Sequence, residues 1–252
     1  MMPNKDSDTQ SPVAIITGGT TGIGAACAKE LATRGYNLAL IALADPDELT
    51  SQLNNTGIRA EFFAIDIGKG QESAHEIIYR AASIFGRIDL LINSAGVALH
   101  KEFMEVDDAD WERIFAVNLK APYFLIQQAH EYLKVTGGSV INISSTNSLR
   151  PQRKNMLYDS LKAALNNMTA GFALEFRESG VRVNAVAPGG VRTPLVEQWL
   201  RDYLGREPVE ADYESPSIAT PSQIAKVVVA LANKDLGWIN GVTIPVDGGF
   251  GL

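Results

Sequence analysis

Tyr158 and Lys162 stand four residues apart in Tyr158-Asp159-Ser160-Leu161-Lys162, which on a helix puts a phenol and an ammonium on one face, one turn apart. A free phenol titrates near pH ~10 and is a poor base at neutrality, whereas a neighbouring cation favours the phenolate and lowers that value. Such a pair suits proton transfer to a carbonyl oxygen or from an alcohol. Ser145 comes thirteen residues earlier, at the end of the strand-like run Val140-Ile141-Asn142-Ile143-Ser144-Ser145. A Tyr-x-x-x-Lys pair alone is often no more than two surface neighbours, so its meaning depends on what else the chain carries.

A second constellation is Thr17-Gly18-Gly19-Thr20-Thr21-Gly22-Ile23-Gly24, between an apolar run and a helical segment. Strand, glycine turn and helix N-terminus together make a place for a pyrophosphate, because unpaired amides and the helix dipole face the anion. The spacing is not the plain G-x-G-x-x-G fingerprint, since Cys27 stands where the third glycine would be. Asn118, in Val117-Asn118-Leu119, has Pro122 four residues on. If that stretch is α-helical, the Asn118 carbonyl lacks its donor and could hold a water between Lys162 and solvent; the plainer alternative is a kink in a surface helix.

These groups need elements to position them. Short apolar runs at Val13–Thr17, Leu38–Leu43, Ala60–Asp66, Ile88–Asn93, Ser139–Ser144, Val181–Ala187 and Val242–Val246 alternate with helical segments. The helical segments are Ile23–Thr33, Asp47–Asn54, Glu72–Phe85, Asp108–Leu133, Leu157–Glu178 and Ser222–Ala232, with Gly35, Gly57, Gly86 and Gly180 placed as left-handed caps. The rhythm predicts an α/β fold, a doubly wound parallel sheet of seven strands with helices on both faces, in a single domain over residues 12–252. Residues 1–11 are polar and are expected to form a loose tail. Pro188 to Pro221 breaks the rhythm, with prolines at 194, 208, 216 and 221 and acids outnumbering Arg201 and Arg206, and is expected to be a substrate lid. Leu195–Leu204, with Trp199 and Tyr203 four apart, is its expected helix.

Composition narrows the partners. Of 252 residues, 22 are Lys or Arg against 29 Asp or Glu, and the net charge of −7 opposes nucleic acid and anionic membrane as partners. With one cysteine, Cys27, no apolar run of membrane length and no signal-like start, the chain reads as cytoplasmic. His75, His100 and His130 share no metal-ligand spacing, so no metal is expected. His100 could edge a substrate pocket or be a solvated loop histidine. Arg150, Arg153 and Lys154 lie between Ser145 and Tyr158 and could hold an anionic group of a substrate, or simply be solvated.

Taken in order, these motifs resemble the short-chain dehydrogenase/reductase family. The glycine turn matches its T-G-x-x-x-G-x-G, Asn93-Ser94-Ala95-Gly96 its N-N-A-G with Ser94 for the second Asn, and Pro188-Gly189-Gly190-Val191-Arg192-Thr193 its P-G-x-x-x-T. Ser145, Tyr158, Lys162 and Asn118 match its catalytic tetrad, and the likeness runs from Val13 to Leu252. The resemblance implies a Rossmann-type fold and NAD(P)-dependent hydride transfer between a secondary alcohol and a ketone, commonly by a homotetramer. It implies that Gly18, Thr20, Thr21, Gly22 and Ile23 hold the cofactor phosphates, that Asp66 and Ile67 meet the adenine, and that Asn93, Ala95 and Gly96 line the cleft. Pro188, Gly189, Val191 and Thr193 would engage the nicotinamide end. Tyr158 is the implied acid/base, Ser145 holds the reacting oxygen, Lys162 grips the nicotinamide ribose and Asn118 joins the proton relay.

The position that reads the adenosine ribose is Ala42, the first acid after it is Asp45, and no Arg or Lys occurs between Gly35 and Ile58. Thr21 stands where many NADP-preferring relatives carry a basic residue. The reading is NAD, with Asp45 a ribose contact or a solvated loop acid and NADP the open alternative. A small polyol, sugar or hydroxy acid is the expected substrate. The rival is a 3-oxoacyl-[acyl-carrier-protein] reductase, which tends to present basic residues where this chain has Thr136 and Ser179. A nucleotide-binding regulator without catalysis is the rival of another class, and the intact tetrad argues against it.

Overall fold

Alternate residues of each strand carry apolar side chains to opposite faces, so the sheet must be covered twice. The computed structural model describes residues 11–44, 47–213 and 218–251. Its strands are β1 (Val13–Thr17), β2 (Asn37–Ala42), β3 (Ala60–Ala64), β4 (Leu90–Asn93), β5 (Ser139–Ile143), β6 (Arg182–Pro188), β7 (Gly190–Val191), β8 (Ile218–Ala219) and β9 (Thr243–Val246). Seven of them form one parallel sheet in the order β3-β2-β1-β4-β5-β6-β9, while β7 and β8 pair separately. The order reverses between β1 and β4, and a crevice opens there at the carboxyl ends of the strands.

The helices are α1 (Gly22–Ala32), α2 (Asp47–Asn54), α3 (Gln71–Phe85), α4 (Asp108–Phe115), α5 (Ala121–Thr136), α6 (Met156–Glu175), α7 (Pro194–Leu204) and α8 (Pro221–Ala232). Val13, Ile15, Ala39 and Ile41 pack with residues of α3, α5 and the end of α6, whereas Ala14, Ile16, Leu38 and Leu40 pack with α1, α2 and α8. The two faces thus have separate cores. Polar side chains also cross the interior: Asn93 Nδ2 donates to Asn142 Oδ1 at 2.8 Å, and Asn142 Nδ2 to Thr169 Oγ1 at 2.9 Å. Arg182, at the start of β6, donates to the carbonyls of Leu231 (2.9 Å), Ala232 (3.2 Å) and Asn233 (3.1 Å), closing the C-terminal end of α8 with positive charge.

Several elements depart from the sequence expectation. The expected helix 108–133 is two helices joined by a π-helical segment, Ala116–Lys120, whose following N–H, of Ala121, reaches back to the Ala116 carbonyl. Pro122 falls in the first turn of α5, where a missing N–H is tolerated. The cap of α8 is Thr220, paired with Gln223 in a capping box, and Ser222 lies inside the helix behind Pro221. β3 ends at Ala64, two residues short of Asp66, and α6 ends at Glu175, followed by a 3-10 turn over Arg177–Ser179. The 188–221 stretch does contain strands, β7 and β8, with the expected helix as α7. Of the expected tail only Ser11 is among the described residues, and Asp45 lies outside them. Among the described residues no helix is long and apolar enough to cross a membrane.

Candidate active site

The glycine turn follows β1 and leads into α1. Gly18 and Gly22 take φ of +61° and +51°, the left-handed region open to glycine. A Cβ on Gly18 would lie 2.9 Å from Ala95 Cα, and one on Gly22 would lie 3.0 Å from Thr193 Cγ2. The loops after β1, β4 and β6 therefore converge. Thr17 Oγ1 accepts from the N–H groups of Ser94 (3.1 Å) and Ala95 (3.2 Å), tying the first two loops together. The N-cap of α1, Thr21, makes no side-chain capping bond, and no acid lies in the first turn. That leaves backbone donors and an uncompensated positive dipole end, the donor set a pyrophosphate requires. Thr20 and Ile67 are buried, and Asp66 Oδ1 accepts from Gly68 N–H at 2.8 Å.

Asn93 differs from its expected part. Its amide is spent inside the sheet on Asn142, and its Oδ1 is buried without a partner among the described residues. Asn142 and Thr169, which complete that link, were not singled out from the sequence; they are separated from Asn93 and from each other by tens of residues and leave no local pattern.

At the other end of the crevice, α6 brings Tyr158 and Lys162 beside the end of β5. Lys162 is only 4% exposed; its Nζ donates to the Ile143 carbonyl at 2.8 Å and sits 5.6 Å from the centre of the Tyr158 ring. Burial pushes its ammonium down to about 8. The Tyr158 phenol is pushed up to about 12, chiefly by desolvation, with a hydrogen bond from Ser145 pulling it down and the charge of Asp159 pushing it further up. Within the chain alone, desolvation is the largest influence on this phenol. Ser145 Oγ accepts from the N–H of Asn147 at 3.1 Å.

Asn118 is fully buried in the π segment, where its Nδ2 donates to the carbonyls of Val97 (2.8 Å) and Ile114 (3.1 Å). A Cβ on Gly96 would lie 3.1 Å from Asn118 Oδ1 and 3.8 Å from Lys162 Nζ, so the loop after β4, the π segment and α6 meet at this glycine. The segment after β6 closes the arrangement. Gly189 N–H donates to the Val246 carbonyl at 3.1 Å, Val191 is buried, and Thr193 caps α7. Pro188 ends β6.

The neighbouring groups fall into place. His100 Nδ1 lies 3.3 Å from Asn155 Oδ1, and its ring meets Trp199 of α7 edge-on at 6.1 Å, so it is not simply solvated. Lys154 pairs with Glu102 at 3.1 Å, whereas Arg150 and Arg153 are exposed. The acids of 205–213 are matched by arginines: Arg201 with Glu207 (2.8 Å), Arg192 with Glu210 (2.6 Å) and Arg206 with Asp212 (2.8 Å). Cys27 is buried, and its thiol is pushed up to about 12. Among the described residues no group of His, Cys, Asp or Glu could hold a metal ion.

A family model described as enoyl-(acyl carrier protein) reductase matches residues 18–251. The chain is 33% identical over 241 residues to cis-4-hydroxycyclohexanecarboxylate dehydrogenase of Sinomonas cyclohexanicum, covering 94% of this chain and 96% of that one. It is 34% identical over 246 residues to 2,5-dichloro-2,5-cyclohexadiene-1,4-diol dehydrogenase of Sphingobium indicum, covering 95% and 96%. Among solved structures, levodione reductase aligns with a TM-score of 0.89 at 26% identity, covering 96% of this chain and 98% of the other. The converging loops, the ordered motifs and likenesses that run the length of the chain agree: it belongs to the short-chain dehydrogenase/reductase family, oxidoreductases that use nicotinamide cofactors.

Proposed function

We propose that the chain is an NAD-dependent dehydrogenase/reductase that interconverts a secondary alcohol and a ketone on a small alicyclic ring. The observation that carries this reading is the buried ammonium of Lys162, held between the Ile143 carbonyl, the Tyr158 ring and Gly96 at the end of a crevice whose far end is the glycine turn. The substrate class draws on two relatives whose names specify a cyclohexane hydroxy acid and a cyclohexadiene diol. Both fall within the polyol and hydroxy-acid expectation and narrow it to a ring.

A nicotinamide dinucleotide, when bound, supplies or accepts the hydride and, in its oxidised form, adds a positive charge that favours phenolate. Gly18, Thr20, Thr21, Gly22 and Ile23 would hold its phosphates, Asp66 and Ile67 its adenine, Ala95 and Gly96 the middle, and Pro188, Gly189, Val191 and Thr193 the nicotinamide end. Lys162 would grip the adjoining ribose. In reduction Tyr158 Oη would give its proton to the carbonyl oxygen; in oxidation it would take the proton back. Ser145 would donate a hydrogen bond to the same oxygen while its Oγ accepts from Asn147 N–H. Asn118 steadies Val97 beside Lys162, and its backbone would carry the relay to solvent. NAD is favoured because β2 ends at Ala42, followed by Leu43 and Ala44, with no cation in residues 36–57 to meet a 2′-phosphate. Segment 188–221 is the proposed lid, and α4 with α6 the proposed surface for a homotetramer, where Trp111 and Met156 are exposed.

The second reading is a carrier-protein reductase, favoured by the family model's description. Against it, Thr136 and Ser179, where such enzymes tend to be basic, are neutral and donate their hydroxyls to the carbonyls of Ile88 and Phe176. A panel of cyclic alcohols, linear polyols and acyl thioesters, assayed with NAD and with NADP, tests the proposal. Fastest turnover of a cyclic alcohol with NAD supports it, and turnover confined to thioesters overturns it.

A further inference from the structure

Asp159 follows the proposed proton donor, yet it points into the protein. It is 4% exposed and lies between Leu157 and Leu161, both buried, on a helix whose first turn carries no other acid. A carboxylate in that setting needs partners, and both of its oxygens have one. Oδ1 accepts from Asn147 Nδ2 at 3.0 Å, and Oδ2 accepts from the N–H of Gln152 at 2.7 Å. Both donors belong to the loop that starts at Ser145 and ends where α6 begins. One side chain therefore pins that loop to the helix at two points.

The consequence reaches the reacting hydroxyl. Asn147, held through its side chain by Asp159, gives its backbone N–H to Ser145 Oγ. That bond fixes one side of the Ser145 hydroxyl and leaves its proton for Tyr158 or for the reacting oxygen. The links form a closed circuit from Tyr158 through Ser145, Asn147 and Asp159 back along the backbone to Tyr158. We propose that Asp159 is a positioning residue of the site, orienting the Ser145 hydroxyl through Asn147 and placing a fixed negative charge beside the phenol. The proposal rests on the reading of Ser145 and Tyr158 given under the proposed function.

The charge has a predictable sign. A carboxylate near a phenol disfavours the phenolate, so Asp159 pushes the Tyr158 phenol up. The other charged or titratable groups on elements packed here are Lys162 on α6, Arg150, Arg153 and Lys154 on the loop, and Lys101 and His100 from the loop after β4. None of them forms an ion pair with Asp159 among the described residues; Lys154 is paired with Glu102 and Lys101 with Asp110.

The experiment measures pH–rate profiles of alcohol oxidation for the wild type, Asp159→Asn, Asp159→Leu, Asn147→Ala and Tyr158→Phe. Asp159→Asn keeps an acceptor for the Gln152 N–H and can bond a turned Asn147 amide, but has no charge; its ascending limb is expected about half a pH unit or more below the wild type's. Asp159→Leu is expected to lose about tenfold or more in plateau kcat, and Asn147→Ala to lose kcat in the same direction, because the Ser145 hydroxyl is no longer held. Asp159→Asn should recover most of the Asp159→Leu loss, which a merely structural role would not pair with a displaced limb. An unmoved limb in Asp159→Asn, or wild-type plateau rates in Asn147→Ala, overturns the proposal. If Asp159→Leu does not fold, those two variants still decide it. Turnover surviving in Tyr158→Phe overturns the underlying reading of the donor and is distinguishable from either result.

Discussion

Helix α6 carries the proposed chemistry and residues 189–213 are part of the proposed lid, 188–221, and the two are held in place by different means. On α6, Leu157, Leu161 and Leu165 are buried, Lys162 and Asp159 are all but inaccessible, and each polar atom answers a fixed partner. In 189–213 the ties are exposed: Arg192 to Glu210, Arg201 to Glu207 and Arg206 to Asp212, with arginine side chains 43%, 37% and 51% accessible. Burying one large apolar side chain stabilises by about 1.5–3 kcal/mol, whereas solvent and salt screen exposed pairs. On the proposed function, the chemistry would stand on a well-buried part and access would be governed by an exposed one. Perturbing the first should show in kcat or in stability, and perturbing the second in KM.

The largest effect expected is on the buried side. Tyr158→Phe should lower kcat by about 10³-fold, the scale of lost acid/base catalysis, with the urea midpoint unchanged. A fall of under tenfold would separate α6 from the chemistry. Arg182→Met should cost about 3 kcal/mol in urea unfolding, since the carbonyls at the end of α8 lose one shared buried donor. A loss below about 1 kcal/mol would show that buried polar ties matter no more than exposed ones. Gly18→Ala should weaken NAD binding about tenfold in a fluorescence titration, because a Cβ at that φ would press on the Ala95 backbone. Smallest is the lid: Arg192→Ala or Glu210→Ala should change the substrate KM about two- to fivefold at constant kcat, and about 0.5 M salt should do the same to the wild type. A fall in kcat with KM constant would place this segment with the rigid half.

The difference between these regions also explains what could be read from the sequence. The sheet was legible because Val13–Thr17 and its counterparts are apolar on both faces, a signal contained within five residues. Ser145, Tyr158 and Lys162 were legible because one strand and one helix carry them at short, fixed spacing. Ion pairs were not: Arg192 and Glu210 stand eighteen residues apart, and the acids of this stretch outnumbered its arginines with nothing to show which would pair. The π segment was hidden too, since Pro122 announces an interruption without saying how the preceding turns absorb it. Asp159 left a faint trace, an acid between two leucines of a buried face beside a tyrosine. The desolvation of the phenol was hidden as well, because spacing reveals a neighbouring charge and says nothing of the water removed with it.

The link from Asn93 through Asn142 to Thr169 bears on how the sheet selects its alignment. Strands apolar on both faces gain nearly as much when shifted by one residue, since the side chains that exchange faces are apolar either way. In the native ladder Asn93 lies opposite Asn142, and Thr169 stands over them from α6. A slip would bury those amides unmatched at about 1–3 kcal/mol for each group, and so the native alignment is preferred by discrimination rather than by added hydrophobic gain. Replacing all three with apolar residues of similar size should leave the protein as stable or more so, with strand β5, and Ser145 at its end, free to settle in more than one place.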